Sequence, residues 1–251
     1  MERSRIKYSN RIHVLGIPID VLALDELEKK ADRLLEDGKV HQVIFINTLD
    51  ILRARRNREF RSCVTTSSLV IPTTKGILRS ARFLQKPVPH RHMPFEFVIH
   101  LLGALEKKQR SLFLVGQKED QLRTVENNLR TSFPQLRIVG RYVGYYPKEI
   151  HEDIILAIKK ASPSLLLAGR GLLKNDLWIH QNRKNFNPGI FIWCGECYDI
   201  FSGKKERPSK KAWESGAYKL GTLFSRPWRI LRSFVYLYYG FLLIIHRIGK
   251  K

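Results

Sequence analysis

The chain has 251 residues, and 45 Lys and Arg residues against 23 Asp and Glu residues give it a formal net charge of +22. A content of 43% hydrophobic and 27% charged residues is typical of a globular protein and excludes a disordered tail or a collagen-like repeat. Three Cys are too few for a secreted disulfide framework, no apolar run reaches the roughly 20 residues that span a bilayer, and the amino terminus lacks a signal-peptide pattern. We therefore expect an intracellular protein that is attracted to phosphate.

Strand-like segments alternate with amphipathic helical patterns along residues 1–202. Strands are predicted at His13–Ile17, Gln42–Ile46, Ser68–Ile71, Ser111–Val115, Arg137–Val139, Ser164–Ala168 and Gly189–Trp193. Apolar residues at helical spacing form three clear stripes between them, at Leu24–Leu34, Leu122–Phe133 and Ile150–Ile158. This alternation predicts a Rossmann-like α/β fold, in which helices cover both faces of a parallel sheet.

Five arginines form a basic cluster on a short helical pattern after the second predicted strand: Arg53, Arg55, Arg56, Arg58 and Arg61. They occupy both odd and even positions, so they spread around a helix instead of lining one side of it. We therefore interpret the cluster as a solvated helix face.

The last 49 residues differ in composition from the rest of the chain. Residues 203–251 carry 12 Lys and Arg against two Asp and Glu, a net charge of +10. The sequence therefore predicts an α/β domain at 1–202 and a basic, partly apolar helical appendage at 203–251. Within the appendage, helices are predicted from Trp213 to Phe224 and after Pro227.

An uncharged run of twelve residues, Phe234–Ile245, lies in this appendage between basic flanks. As a helix it is about 18 Å long, too short to cross a hydrocarbon core of about 30 Å. It either lies in the interface of an anionic membrane or packs against the body or another subunit. The paired basic flanks favour the membrane, because burial in the body does not account for them.

The strand-to-helix junctions are the places to look for a ligand site, because ligands of open parallel sheets bind beyond the carboxyl ends of the strands. Four junctions carry polar, glycine or cysteine residues: Asn47–Asp50, Pro72–Gly76, Gly169–Gly171 and Cys194–Cys197. The C-x-x-C pair has no second Cys or His pair at zinc-ligand spacing, and it follows the last strand instead of opening a redox motif. We expect both cysteines to be packed in the core, without a metal or redox role.

At these junctions the sequence resembles the WecG/TagA/CpsF family of bacterial glycosyltransferases. The resemblance extends over nearly the whole chain and rests on ordered segments: Val14–Asp20, Ile46–Thr48, Leu69–Ile77, Phe133–Gly140, Gly144–Pro147, Ala168–Trp178 and Tyr198–Pro208. It implies transfer of an N-acetylhexosamine, similar to N-acetylmannosamine, from a UDP-sugar donor to a polyprenyl-diphosphate-linked sugar acceptor. That reaction belongs to cell-surface polysaccharide or teichoic-acid-type synthesis. It implies a cytoplasmic protein, peripheral on the inner face of the cell membrane, and no metal or other cofactor.

The resemblance also implies a substrate-binding set that is drawn from all of the junctions and from the appendage. Its members are Asn47, Thr48, Arg91, Tyr145, Gly169, Arg170, Gly171, Lys174, Asn175, Asp199, Arg207, Arg226, Arg229 and Arg232. Backbone amides of a Gly-x-Gly turn and the planar fork of arginine both suit a diphosphate. For the arginines of the appendage, contact with anionic lipid is the alternative.

The residues that depart from the family pattern include the catalytic position. The proposed base of the family is the Asp of a Pro-Asp-Gly segment, and Thr73 stands there in this chain. A hydroxyl group of ordinary pKa is not a general base near neutral pH. Asp50 and Glu96 are the carboxylates that could replace it, so Thr73, Asp50 and Glu96 are the catalytic candidates. Helix capping or an ion pair is the alternative role for each carboxylate.

Three function classes follow from these observations. The first is an active transferase, and the second is a non-catalytic family relative that keeps ligand or partner binding, because the usual Asp is absent. Nucleic-acid binding is suggested by charge alone, and no recognised nucleic-acid motif supports it. Self-association as a homo-oligomer is left open.

Overall fold

A computed structural model of the chain describes residues 10–215 and 231–249. The first element is an antiparallel hairpin of β1 (Asn10–Val14) and β2 (Ile17–Val21). The prediction of one strand at His13–Ile17 is therefore wrong, because the chain reverses within it. Leu15 and Gly16 have φ values of 52° and 81°, and positive φ at both central residues is what a tight two-residue hairpin turn requires.

Six further strands form the central sheet: β3 (Val40–Ile46), β4 (Leu69–Pro72), β5 (Ser111–Val115), β6 (Arg137–Tyr142), β7 (Leu165–Ala168) and β8 (Gly189–Trp193). Their order is β4-β3-β8-β7-β5-β6, and every neighbouring pair is parallel. These six strands confirm the remaining strand predictions. Five of them were recognisable because strands buried on both faces are nearly continuous apolar runs, whereas the edge strand β6 is largely exposed or half-buried.

Eleven α-helices are described: α1 (Leu24–Glu36), α2 (Thr48–Arg56), α3 (Arg58–Thr65), α4 (Lys75–Phe83), α5 (Pro94–Lys107), α6 (Glu119–Ser132), α7 (His151–Ala161), α8 (Asp176–Asn182), α9 (Gly195–Phe201), α10 (Lys210–Ser215) and α11 (Leu231–Ile248). Short 3₁₀ turns occupy Lys148–Ile150 and Arg183–Asn185. The three predicted apolar stripes lie in α1, α6 and α7, and Gly38 follows the end of α1 with a φ of 69°.

Helices cover both faces of the sheet, as predicted. On one face, α1, α5, α6 and α9 pack over strand residues such as Val43 and Leu69. On the other face, residues such as Ile44 and Val70 pack with the hairpin and with α2, α3, α4 and α11, while α7 and α8 cover the β5–β7 end. The strands therefore all deliver their carboxyl ends to one edge between two helical layers.

The helix α11 contacts the body along one side and exposes its other side. Tyr239 is only 5% exposed, and its hydroxyl lies 2.8 Å from the Ser80 hydroxyl on α4. On the opposite side Leu237 is 69% exposed, and Phe234, Phe241 and Ile248 are exposed as well. Within the part of the chain that the structure describes, α11 and the other helices lack the combination of length and apolarity needed to cross a membrane. Packing against the body is thus observed for one side, and membrane contact of the other side stays a prediction.

Candidate active site

Three threonines, Thr48, Thr73 and Thr74, lie where β3 and β4 end. The Oγ1 atoms of Thr48 and Thr74 lie 3.0 Å apart, and a Cβ at Gly76 would lie 2.4 Å from Thr48 Oγ1. The Thr73 hydroxyl donates to the Ile46 carbonyl oxygen at 3.1 Å, and the Thr73 backbone N–H donates to the same oxygen at 2.9 Å. The side chain at the family's Asp position is thus a hydrogen-bond donor to the main chain and supplies no general base.

Asn47 and Asp50 cap the start of α2. Asn47 Oδ1 accepts from the backbone N–H groups of Leu49 at 2.8 Å and Asp50 at 3.2 Å, and Asp50 Oδ2 accepts from the Asn47 N–H at 2.9 Å. Burial raises the pKa of the Asp50 carboxyl group above its ordinary value. The capping interpretation of Asp50 is therefore observed, and a carboxyl group with a raised pKa stands beside the end of β3.

Asp176, at the start of α8, is a second buried carboxyl group that the sequence interpretation passed over. Its Oδ1 atom is buried and has no hydrogen-bond partner among residues 10–215 and 231–249. Burial, followed by the charge of Asp50, raises the pKa of Asp176 to about 7, and Arg53 opposes the shift. The sequence offered one signal for Asp176, its position directly before the apolar residues Leu177 and Trp178, which are buried. Burying a carboxylate there costs more free energy than burying an apolar side chain, so a carboxylate at such a position indicates a function.

Glu96 and Arg207 form an ion pair between the first turn of α5 and the segment that precedes α10. Arg91 donates to the Trp213 carbonyl oxygen, and its guanidinium carbon lies 4.5 Å from the centroid of the Trp213 ring. The structure thus joins two predicted site residues, Glu96 and Arg207, to each other. The ion-pair interpretation of Glu96 is observed.

The segment 207–215 lies against the connection that follows β4. Lys75 Nζ donates to the Ser215 carbonyl oxygen at 3.1 Å, and the His92 N–H donates to the Pro72 carbonyl oxygen at 3.2 Å. The loop that carries Arg91 is therefore fixed at the end of β4. The described start of the appendage covers the same edge as the three threonines.

Arg170 and Asp199 form a bidentate ion pair at the ends of β7 and β8. Arg170 Nη1 and Nη2 donate to the two carboxylate oxygens of Asp199 at 2.7 and 2.5 Å, and Gln121 Nε2 donates to Asp199 Oδ1 at 3.2 Å. Asp199 is buried, whereas the Arg170 side chain is 46% exposed. Two predicted substrate-binding residues are thus brought together, with one side of the guanidinium group open to an anion.

The loops that follow β5, β6 and β7 are joined by backbone hydrogen bonds. Gln117 N–H donates to the Arg170 carbonyl oxygen at 2.7 Å, Gly144 N–H to Gln117 at 2.8 Å, and Tyr145 N–H to Gly171 at 2.9 Å. A Cβ at Gly144 would lie 2.3 Å from the Arg170 carbonyl oxygen, so only glycine permits this approach. These contacts fix the backbone of Tyr145, which is 64% exposed, beside the carboxyl ends of the strands.

The turn at Gly169–Gly171 is hydrogen-bonded to the sheet at its first residue. The Gly169 N–H donates to the Val115 carbonyl oxygen at 2.7 Å. Farther along the turn, Lys174 and Asn175 have φ values of 62° and 56°, and Lys174 Nζ lies 3.5 Å from a carboxylate oxygen of Glu59 on α3. Two successive non-glycine residues with positive φ are costly, and such strain is concentrated at functional sites.

Comparison with known proteins decides the family. The sequence profile of the Glycosyl transferase WecG/TagA/CpsF family matches residues 12–251. The chain belongs to this family. A relative from Bacillus subtilis (strain 168), N-acetylglucosaminyldiphosphoundecaprenol N-acetyl-beta-D-mannosaminyltransferase, is 24% identical over 196 residues, which are 77% of this chain and 75% of the relative. The resemblance inferred from the junction segments is confirmed.

Of the four family-type arginines in the appendage, the structure places only Arg207. Arg226 and Arg229 lie outside the described residues, and so does the side chain of Arg232, although its backbone belongs to α11. The roles of these three arginines stay predictions.

Cys194 and Cys197 lie at the junction that follows β8. Both cysteines are buried, which confirms that they pack in the core, and their sulfur atoms are joined in a disulfide with a Cα–Cα distance of 5.5 Å, a pairing that the sequence analysis did not predict. Cys63 is a buried free thiol whose pKa is raised to about 12 by burial. Among the described side chains, no group of three or more His, Cys, Asp or Glu could hold a metal ion.

Proposed function

We propose that the protein transfers an N-acetylhexosamine of the N-acetylmannosamine type from UDP to a polyprenyl-diphosphate-linked sugar, in cell-surface polysaccharide or teichoic-acid-type synthesis. The observation that carries the proposal is the family match over residues 12–251, whose junction segments lie along one edge of the sheet. The name of the Bacillus subtilis relative describes an N-acetylmannosaminyltransferase that acts on a diphosphoundecaprenol-linked sugar. The donor and acceptor classes are taken from it.

In this proposal the donor binds at the β5–β7 end of the edge. The exposed ring of Tyr145 offers a flat face for the uracil base, and the open side of the Arg170 guanidinium group meets the diphosphate. A cation at the diphosphate stabilises the charge that develops on the departing UDP. Because Asp199 already orients the guanidinium group, the cation needs little rearrangement when the donor binds.

Asp50 takes the proton in this proposal. The acceptor hydroxyl oxygen forms a bond to the anomeric carbon, the bond from that carbon to the diphosphate oxygen breaks, and UDP leaves with the bonding electrons. The hydroxyl proton passes to Asp50, whose raised pKa makes it a stronger base than an ordinary carboxylate. Of the other two candidates, the Thr73 hydroxyl group donates a hydrogen bond to the Ile46 carbonyl oxygen, and the Glu96 carboxylate forms an ion pair with Arg207.

A second candidate function is ligand binding without turnover. The observation that favours it is Thr73, whose hydroxyl group is a donor at the position where the family has its proposed base. The chain would then keep UDP or partner binding on the same edge.

Acceptor-dependent release of UDP by the purified chain decides between the two functions. The donors are UDP-N-acetylmannosamine and its gluco epimer, and the acceptor is a short-chain lipid diphosphate that carries one sugar. Asp50→Asn keeps an oxygen that can cap α2, so we expect it to lower kcat by at least about 100-fold with UDP affinity unchanged. Asp120→Asn, in the exposed first turn of α6, is the matched control.

Each outcome has one meaning. UDP affinity without turnover in the unaltered chain supports the binding function, and full turnover in Asp50→Asn removes Asp50 as the base. A chain that neither binds UDP nor turns it over would contradict both the transferase and the UDP-binding form of the second function.

We also propose that the exposed side of α11 lies in the interface of an anionic membrane, which places the protein on the cytoplasmic face beside its lipid-linked acceptor. The support is the exposure of Phe234, Leu237, Phe241 and Ile248 along a helix that carries cations at its end. Leu237→Ser combined with Phe241→Ser alters only exposed side chains. It should weaken binding to phosphatidylglycerol vesicles without lowering the melting temperature, and unchanged binding would contradict the proposal.

A further inference from the structure

The body of the protein has a strongly basic stretch on the same face of the sheet as α11. Residues 51–86, which include most of α2 and all of α3 and α4, hold nine Lys and Arg and a single acidic residue, Glu59. Glu59 is engaged by Lys174 and Gln181. By contrast, α1 on the other face holds five acidic residues against three basic ones. The basic charge of the body is therefore concentrated on one face.

Four exposed arginines of this stretch lie on the two helices that contact α11, and we call them the arginine patch: Arg55, Arg56, Arg79 and Arg82. The guanidinium carbon of Arg56 lies 5.6 Å from the centroid of the Tyr238 ring on α11. This contact joins the α2 part of the patch directly to the helix of the appendage.

The helix α4, which carries Arg79 and Arg82, contacts α11 at two neighbouring residues. The hydroxyl groups of Ser80 and Tyr239 lie 2.8 Å apart, and the guanidinium carbon of Arg247 lies 4.9 Å from the centroid of the Phe83 ring. Arg79 lies one helical turn before Phe83 and therefore on the same side of α4. The exposed cations of α2 and α4 and the exposed apolar side of α11 are therefore neighbours on one face of the molecule, and together they form one surface.

An anionic bilayer fits both parts of this surface. An interfacial helix buries its apolar side at the boundary between headgroups and acyl chains, and neighbouring cations meet the lipid phosphates. A nucleic acid would engage the arginines but would leave Phe234, Leu237, Phe241 and Ile248 in water. The combination of exposed apolar and cationic groups therefore selects the lipid surface.

We propose that the arginine patch is the headgroup-binding half of a composite membrane-docking face, of which α11 is the apolar half. The proposal rests on the membrane association of α11 stated above. It assigns a lipid-binding role to Arg55 and Arg56 of α2, which the sequence analysis interpreted as part of a solvated helix face, and to Arg79 and Arg82 of α4. The docked orientation would then be fixed by the body of the protein as well as by the appendage.

The test uses the full chain and vesicles of phosphatidylcholine with and without phosphatidylglycerol. Arg79→Glu combined with Arg82→Glu should weaken binding to the anionic vesicles by about tenfold or more, since each basic residue near the surface contributes several-fold. Lys159→Glu combined with Lys160→Glu, exposed at the end of α7, makes the same change in net charge and should have a much smaller effect. Arg79→Gln combined with Arg82→Gln removes the two charges without reversing them. Melting temperatures of this variant and of the Glu variant that match that of the unaltered chain exclude misfolding as the cause.

The outcomes separate this proposal from the proposed function. Turnover with a water-soluble short-chain acceptor should be unchanged in the α4 variant, so a loss of vesicle binding with normal turnover supports the patch. Equal losses of vesicle binding in the α4 and α7 variants would show that only net charge matters, and would overturn the proposal. Unchanged vesicle binding, or loss of DNA-duplex binding alone, would also overturn it.

Discussion

The two ends of the candidate active site are built in different ways. At the β5–β7 end, three loops are joined backbone to backbone, and a buried carboxylate holds an arginine whose other side is exposed. At the β3–β4 end, short polar side chains cap helices and bond to one another, and Thr73 occupies the family's Asp position. In the proposed function the first end holds the diphosphate, and Thr73 supplies no base at the second. The proposal therefore assigns donor binding and proton transfer to separate ends, which variants can test one at a time.

The largest effect should come from the backbone junction at the β5–β7 end. In Gly144→Ala, the new Cβ would lie 2.3 Å from the Arg170 carbonyl oxygen, which cannot move without breaking the junction. We expect a loss of more than about 4 kcal/mol of unfolding free energy and no measurable UDP binding. Denaturant unfolding and calorimetric titration with UDP measure these changes. Gly103→Ala in α5, where nothing lies within 4 Å of the new Cβ, is the control and should not destabilise the protein.

At the β3–β4 end, Asp176→Asn should stabilise the protein at neutral and higher pH. The folded pKa of about 7 is above the unfolded value, so the folded state binds the extra proton, and stability falls as the pH rises from about 4 to about 7. Replacing the titrating carboxyl group should raise the free energy of unfolding by up to roughly 4 kcal/mol at pH 8, and it should make the melting temperature nearly independent of pH across this range. Asp120→Asn should leave the pH profile unchanged. An unaltered slope in Asp176→Asn would show that another group titrates.

Thr73→Asp tests whether the missing carboxylate is what limits the β3–β4 end. In the Asp50→Asn background, where the proposed base is removed, we expect Thr73→Asp to raise acceptor-dependent UDP release by about 100-fold or more, the factor that a general base commonly contributes. Affinity for UDP should be unchanged, because the Arg170 and Asp199 pair is untouched. Thr74→Asp, one residue on, is the matched control and should not raise the rate. No increase with Thr73→Asp in that background would contradict the view that a carboxylate at position 73 can act as the base.

Arg170→Lys should have the smallest effect, and it sharpens the description of the β5–β7 end. Lysine keeps the charge but lacks the planar fork that bonds both oxygens of Asp199. We expect UDP affinity to fall about tenfold, or about 1.4 kcal/mol, with kcat nearly unchanged. Arg183→Lys, on the far side of α8, should leave the affinity as it is. A fall in kcat without a fall in affinity would show that Arg170 stabilises the departing diphosphate in the transition state and contributes little to binding the intact donor.

The sequence was sufficient for the central sheet because apolar runs and helical stripes are local patterns. It was insufficient for the hairpin, because the reversal depends on the positive φ of Leu15, a residue type that does not suggest a turn. Individual site residues were predicted, but their pairing was not. Arg170 and Asp199 are 29 positions apart, and only the fold brings them together. Asp176 was passed over because its raised pKa depends on how deeply the fold buries it and on the charge of Asp50, which is distant in the sequence; the apolar neighbours Leu177 and Trp178 were the only local signal.

The hydrogen bond between Tyr239 and Ser80 also limits how far an acceptor must reach. Ser80 lies six residues after Thr74, so the rise along α4 between the residue that contacts α11 and the strand edge is about 9 Å. If α11 lies at the headgroup level and α4 runs along the membrane normal, a diphosphate and one sugar can bridge that distance. We therefore expect the length of the acceptor to be selected by geometry, with a carrier that bears a single sugar favoured over one that bears a longer chain.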